Sequence, residues 1–169
     1  MLYTAQLGLE QPIAIRYPRG KGVLKEWKLP FKKIVIGKSE ELKSGTKIAV
    51  LSIGHIGNMV ASVINEFVDD GKIGHYNMRF IKPLDRKQLF KIFNSYEHII
   101  TIEDGCKIGG FGSAIIEFAN EINSKIPISI LGIEDTFIEH GTTEELHKIS
   151  KIDHSSLKSK INNLINAFL

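Results

Sequence analysis

Residues 13–20 read Ile-Ala-Ile-Arg-Tyr-Pro-Arg-Gly, and the two arginines carry a charge suited to gripping an anion. A guanidinium presents five donors in a rigid planar fork that matches phosphate or carboxylate. Ile13 and Ile15 predict a short strand over 12–17. Pro18, with no amide hydrogen to give a ladder, predicts its end. Arg19 then stands at a strand mouth, where ligands collect in open α/β folds. Side chains alternate faces along a strand, so Arg16 is the weaker candidate for the same pocket. The competing reading makes both arginines surface charges or ion-pair partners.

Other residues have suitable chemistry but incomplete constellations. Gly109-Gly110-Phe111-Gly112 lies between a predicted strand and a predicted helix, the usual place of a phosphate loop. It matches neither the dinucleotide pattern nor the Walker pattern, so close backbone packing against another domain is the favoured reading. Gly54-His55-Ile56-Gly57 is a weaker case of the same kind. Glu103 and Asp104 at a strand end are acid/base candidates, or else solvated or paired with Lys107. Cys106 is a nucleophile if His98 or His140 serves it as base, and otherwise a small buried thiol. His140, just before a helix start, suits contact with an anion or a partner domain, or a structural hydrogen bond. Arg79 to Asp85 reads as a packing or ion-pair corner. No spacing of His, Cys, Asp and Glu suggests a metal site. The residues alone therefore give one candidate anion-binding arginine and no catalytic constellation.

The elements that must position these residues follow from patterning. The chain has 169 residues, 43% of them hydrophobic and 24% charged, as in an ordinary globular domain with a possible appendage. A net charge of +3 with scattered lysines gives no case for nucleic acid. The single cysteine excludes an internal disulfide framework, and no apolar run is long enough for a membrane helix. A cytoplasmic setting is expected. Residues 1–11 predict a short helix ending at Gly8. Residues 34–36 predict a strand, as do 47–53, 76–81, 98–102 and 127–133. Helical spacing lies between them, and two helices close the chain, one opened by the capping box Thr142 to Glu145. Alternating strands and helices imply a three-layer α/β/α domain with a mostly parallel sheet of about five strands.

Four separated segments then point to a family. They are Ile15-Arg16-Tyr17-Pro18-Arg19-Gly20, Met78 to Asp85, Thr101-Ile102-Glu103-Asp104 with Gly109 to Ala114, and Asp135-Thr136-Phe137-Ile138-Glu139-His140-Gly141-Thr142. In this order the chain resembles the C-terminal part of the 1-deoxy-D-xylulose-5-phosphate synthases, transketolase-like thiamine diphosphate enzymes. Asp104 departs from the second Glu common there. The resemblance implies a parent with two preceding domains that bind thiamine diphosphate and Mg²⁺, neither being bound by this chain. It implies residues 1–19 as the tail of the pyrimidine-binding domain, 20–39 as a linker with the first strand, and 40–169 as the transketolase C-terminal-like domain. It also implies a homodimeric parent that joins pyruvate to D-glyceraldehyde 3-phosphate, with Arg19 on the sugar phosphate. Gly109, Gly110, Phe111 and His140 are then expected at a domain or dimer contact, and the chain alone is expected to be inactive.

Overall fold

A computed structural model of the chain describes residues 1–18, 22, 30–68 and 71–168. At its centre lie β1 (Glu40–Lys43), β2 (Ile48–Ile53), β3 (Ile73–Asn77), β4 (His98–Cys106) and β5 (Ile128–Ile133). They form one sheet in the order β1-β3-β2-β4-β5. β3, β2, β4 and β5 run parallel, and β1 is antiparallel to β3. The helices are α1 (Leu2–Gln6), α2 (Ile56–Ile64), α3 (Arg86–Ser95), α4 (Phe111–Glu121), α5 (Thr143–Ile149) and α6 (His154–Ala167).

The strand period explains the layers. Alternate side chains of β2 point to opposite faces. Ile48 and Val50 join Val60, Val63, Leu157 and Ile161 in one core, under α2 and α6. Ala49 and Leu51 join Leu89, Ile92, Phe111 and Ile115 in the other, under α3 and α4. A central parallel strand covered on both faces must be apolar on both, as β2 is. The expected three-layer α/β/α architecture with a mostly parallel five-stranded sheet is therefore present.

Two expected strands are absent. Residues 12–18 form no strand, because no neighbouring strand among the described residues offers them a ladder. Residues 34–36 form none either, and Val35 is 63% exposed. The edge of the sheet is taken instead by β1, a short strand rich in Glu and Lys. Charge of this kind protects an edge from pairing with other chains, and it hides the strand from apolar patterning. β3 spans Ile73–Asn77 where 76–81 was expected, and α2 starts at Ile56.

Residues 1–18 are tied to the segment before β1. The Ile34 amide donates to Thr4 Oγ1 at 2.9 Å, and Tyr3 stacks on Phe31 at 5.5 Å between ring centroids. Gly8 closes α1 with φ +89°, as expected of a glycine after a helix end.

Candidate functional site at the carboxyl ends of the strands

β2 and β4 are neighbours in the sheet, yet the helices that follow them go to opposite faces, α2 to one and α4 to the other. The divergence opens a crevice beyond the strand ends, the place where open α/β sheets bind ligands. His55, Glu103, Asp104, Gly105 and Cys106 all lie on or just past these two ends.

Glu103 is 4% exposed, and both carboxylate oxygens point into the start of α4. Oε2 accepts from the Phe111 amide at 3.0 Å and Oε1 from the Gly112 amide at 2.9 Å. The first amides of a helix have no partner within it and carry a partial positive charge. Glu103 supplies the anion that such a site would otherwise offer to a phosphate. The turn over 109–112 is thus closed by the chain's own carboxylate. Glu103 is neither solvated nor free for acid/base work.

The glycines of that turn act differently from one another. A Cβ on Gly110 would lie 2.0 Å from the Cys106 carbonyl oxygen and 2.6 Å from Glu103 Oε2. Gly110 is therefore required by a close approach inside this chain. Gly109 has φ +71° and open space around it. Phe111 is wholly buried in the chain's own core. His140 is exposed.

The remaining candidates are placed as follows. Arg19 lies outside the described residues. Arg16 is exposed, and its Nη1 would stand 3.8 Å from a Cβ built on Gly105, so its guanidinium reaches the end of β4. Cys106 is exposed, where a small buried thiol was the alternative expectation. His98 opens β4 and Cys106 closes it, so they sit at opposite ends of the sheet. The His98 ring is instead engaged with Ser129 Oγ at 2.9 Å. Lys107 pairs with Glu134. The Arg79–Asp85 corner is the expected ion-pair corner: Arg79 meets Glu40, and Asp85 meets Lys38 at 3.0 Å.

Two arrangements escape the sequence. Ser52 Oγ lies 2.8 Å from His75 Nε2, a pair of the kind that activates nucleophiles. Both residues are buried, and burial pushes the His75 imidazole down to about 4. With no route to a substrate, the pair is a structural hydrogen bond inside the sheet. The second arrangement is Asp104 between two histidines. His55 Nε2 stands 3.4 Å from Oδ2, and His147 Nε2 stands 3.5 Å from Oδ1. The two rings stack at 6.2 Å. Beside them a cavity of about 360 Å³ is lined by Asp104, Phe137, Thr143, Leu146, His147 and Ser150, among others. No spacing rule links residues 55, 104 and 147; only the sheet order and the return of α5 over the strand ends bring them together.

Fold and comparison define the class. Residues 37–157 match the family model described as "Transketolase, C-terminal domain", and the chain belongs to that family. The relatives narrow the kind. The 1-deoxy-D-xylulose-5-phosphate synthase of Cytophaga hutchinsonii is 43% identical over 173 residues, covering 100% of this chain and 27% of that protein. The synthase of Bacteroides thetaiotaomicron is 43% identical over 95% of the chain, and that of Pseudoalteromonas translucida 36% over 98%. The chain spans about a quarter of the length of these curated relatives. Among solved structures, "Split gene transketolase, inactive beta4 tetramer" superposes with a TM-score of 0.71, covering 80% of this chain and 44% of that one. Its 22% identity speaks for the fold alone.

Proposed function

We propose that the chain is the C-terminal part of a 1-deoxy-D-xylulose-5-phosphate synthase. The whole protein would condense pyruvate with D-glyceraldehyde 3-phosphate and release CO₂, using thiamine diphosphate and Mg²⁺. The observation that carries this reading is the 43% identity to such a synthase along the whole of the chain. The chain contains a packed α/β domain whose α4 N-terminus is already occupied by Glu103. The turn at 109–112 does not fit a diphosphate, because Glu103 occupies both amides that would receive it. The cofactor and its metal would therefore be held by the parent's other domains. In this reading residues 1–19 end the middle domain, 20–39 link, and 40–169 serve as scaffold and dimer contact, with His140 on the contact surface.

Arg19 would hold the phosphate of the aldehyde substrate, with Arg16 the lesser candidate. The test is CO₂ release from pyruvate by the longer protein that carries this chain, with and without D-glyceraldehyde 3-phosphate. Release that rises strongly with the aldehyde is the expected result. Ketol transfer from a sugar phosphate without pyruvate decarboxylation would replace the synthase by a transketolase. Arg19→Ala is expected to raise KM for the aldehyde by about 1.5–3 kcal/mol equivalent, the scale of a charge-assisted hydrogen bond. An unchanged KM would remove Arg19 from that role.

A further inference from the structure

We infer that His55, Asp104 and His147 form a binding site for one transition-metal ion of the Zn²⁺ type. The first argument is distance. In a tetrahedral site with bonds of about 2.0–2.1 Å, neighbouring ligand atoms stand about 3.3–3.4 Å apart. His55 Nε2 stands 3.4 Å from Asp104 Oδ2 and His147 Nε2 stands 3.5 Å from Asp104 Oδ1, so each imidazole is near that spacing from one of the two carboxylate oxygens. Charge-assisted hydrogen bonds between such groups run about 2.7–2.9 Å, shorter than either separation, and a shared ion would account for both. One ligand atom from each residue can be chosen so that all lie within 4.8 Å of one another.

The second argument is the state of His147. Its Nε2 is buried, with no hydrogen-bond partner among the described residues. A buried polar nitrogen without a partner costs free energy, and a metal bond removes that cost. The third is position. His55 follows β2 and Asp104 lies near the end of β4, so the cluster spans the crevice between two strands whose helices diverge. Asp104 and His147 also line the cavity of about 360 Å³, which leaves room for water on the ion's remaining positions.

The donor set decides the class of ion. Two imidazoles and one carboxylate suit Zn²⁺, Co²⁺, Ni²⁺ or Fe²⁺. Mg²⁺ and Ca²⁺ prefer oxygen throughout, so this site is separate in chemistry from the Mg²⁺ that accompanies a diphosphate. The three residues come from three elements: the start of α2, β4, and α5. An ion here would staple α5, which buries no residue of its own, to the strand ends.

The test is titration of the full chain, stripped with a chelator, by ZnCl₂ in a calorimeter. The expected result is one Zn²⁺ per chain with micromolar or tighter affinity, a raised Tm, and a visible Co²⁺ spectrum of low-symmetry coordination. His55→Gln, Asp104→Asn and His147→Gln should each weaken binding by more than about 100-fold, beyond the loss typical of outer partners. Cys106→Ser and His154→Gln should leave it unchanged. If a site variant fails to fold, the Co²⁺ spectrum and the metal-dependent Tm of the unmodified chain decide alone. Absence of stoichiometric binding would overturn the inference. So would binding that survives all three site variants, or that disappears with Cys106→Ser.

Discussion

Glu103 carries a charge into the protein and spends it on two amides at the start of α4, Phe111 at 3.0 Å and Gly112 at 2.9 Å. That contact depends on the turn before the helix lying flat against β4, and the backbone of Gly110 makes the approach possible. Gly110→Ala would push a methyl group to 2.0 Å from the Cys106 carbonyl oxygen and 2.6 Å from the Glu103 carboxylate. We expect it to cost at least about 2–3 kcal/mol, through overpacking and loss of the cap. Gly109→Ala meets open space and only the strain of φ +71°, about 1 kcal/mol. Urea midpoints of the two variants check the order. Equal losses would mean that the turn relaxes and that Glu103 does not hold it. From sequence alone the four residues Gly109 to Gly112 looked alike in purpose. Which glycine meets a backbone atom and which meets solvent depends on where β4 ends, and no local pattern records that.

Asp85 acts one level up, joining two elements. It caps α3 by accepting from the Gln88 amide at 3.2 Å, and it holds the chain before β1 through the Ser39 amide and Lys38, each at 3.0 Å. Burial alone would raise its carboxyl, but hydrogen bonds from Ser39, Lys38 and Gln88 hold it below the usual carboxylate range. Asp85→Ala should therefore destabilise by about 2–4 kcal/mol, more than an exposed cap, because several donors lose their acceptor at once. Loss of no more than about 1 kcal/mol in chemical unfolding would show that only the cap is at stake. The sign with pH follows: the contribution is full above the unfolded value of 3.8 and is lost as pH falls through the folded one. The corner was legible as charge concentrated at a strand-to-helix junction, and β2, α4 and α6 were legible from apolar period. β1 was not, because an edge strand needs few apolar residues. The strand expected over 12–17 failed for the opposite reason: its apolar residues call for a ladder that the described chain does not provide.

At the scale of the whole molecule, the sheet orders everything else, and its interior holds a buried histidine. His75 is 2% exposed and bonded to Ser52, and burial lowers its imidazole to about 4 from an ordinary 6.5. His98, also lowered by burial, acts in the same direction. A histidine that stays neutral in the folded state takes up its proton on unfolding, so stability should fall as pH drops from about 6.5 toward 4. For His75 alone the loss is about 3 kcal/mol over that window. Denaturant melts of the chain and of His75→Gln at several pH values check this; the variant should have the flatter profile, and parallel profiles would contradict it. The sheet also brings His55, Asp104 and His147 to one crevice from distant parts of the sequence, which is why motif and spacing rules found no metal site. The family was legible because four short segments keep their order, and the role proposed for Arg19 rests on that likeness. The most direct measurement is an exchange. This chain would replace the matching quarter of the Cytophaga hutchinsonii synthase, and CO₂ release from pyruvate would be followed as D-glyceraldehyde 3-phosphate is added. Aldehyde-dependent release by the chimera is expected, with KM for the aldehyde raised by Arg19→Ala. A folded chimera that binds thiamine diphosphate yet shows no aldehyde-dependent release would contradict the proposed function.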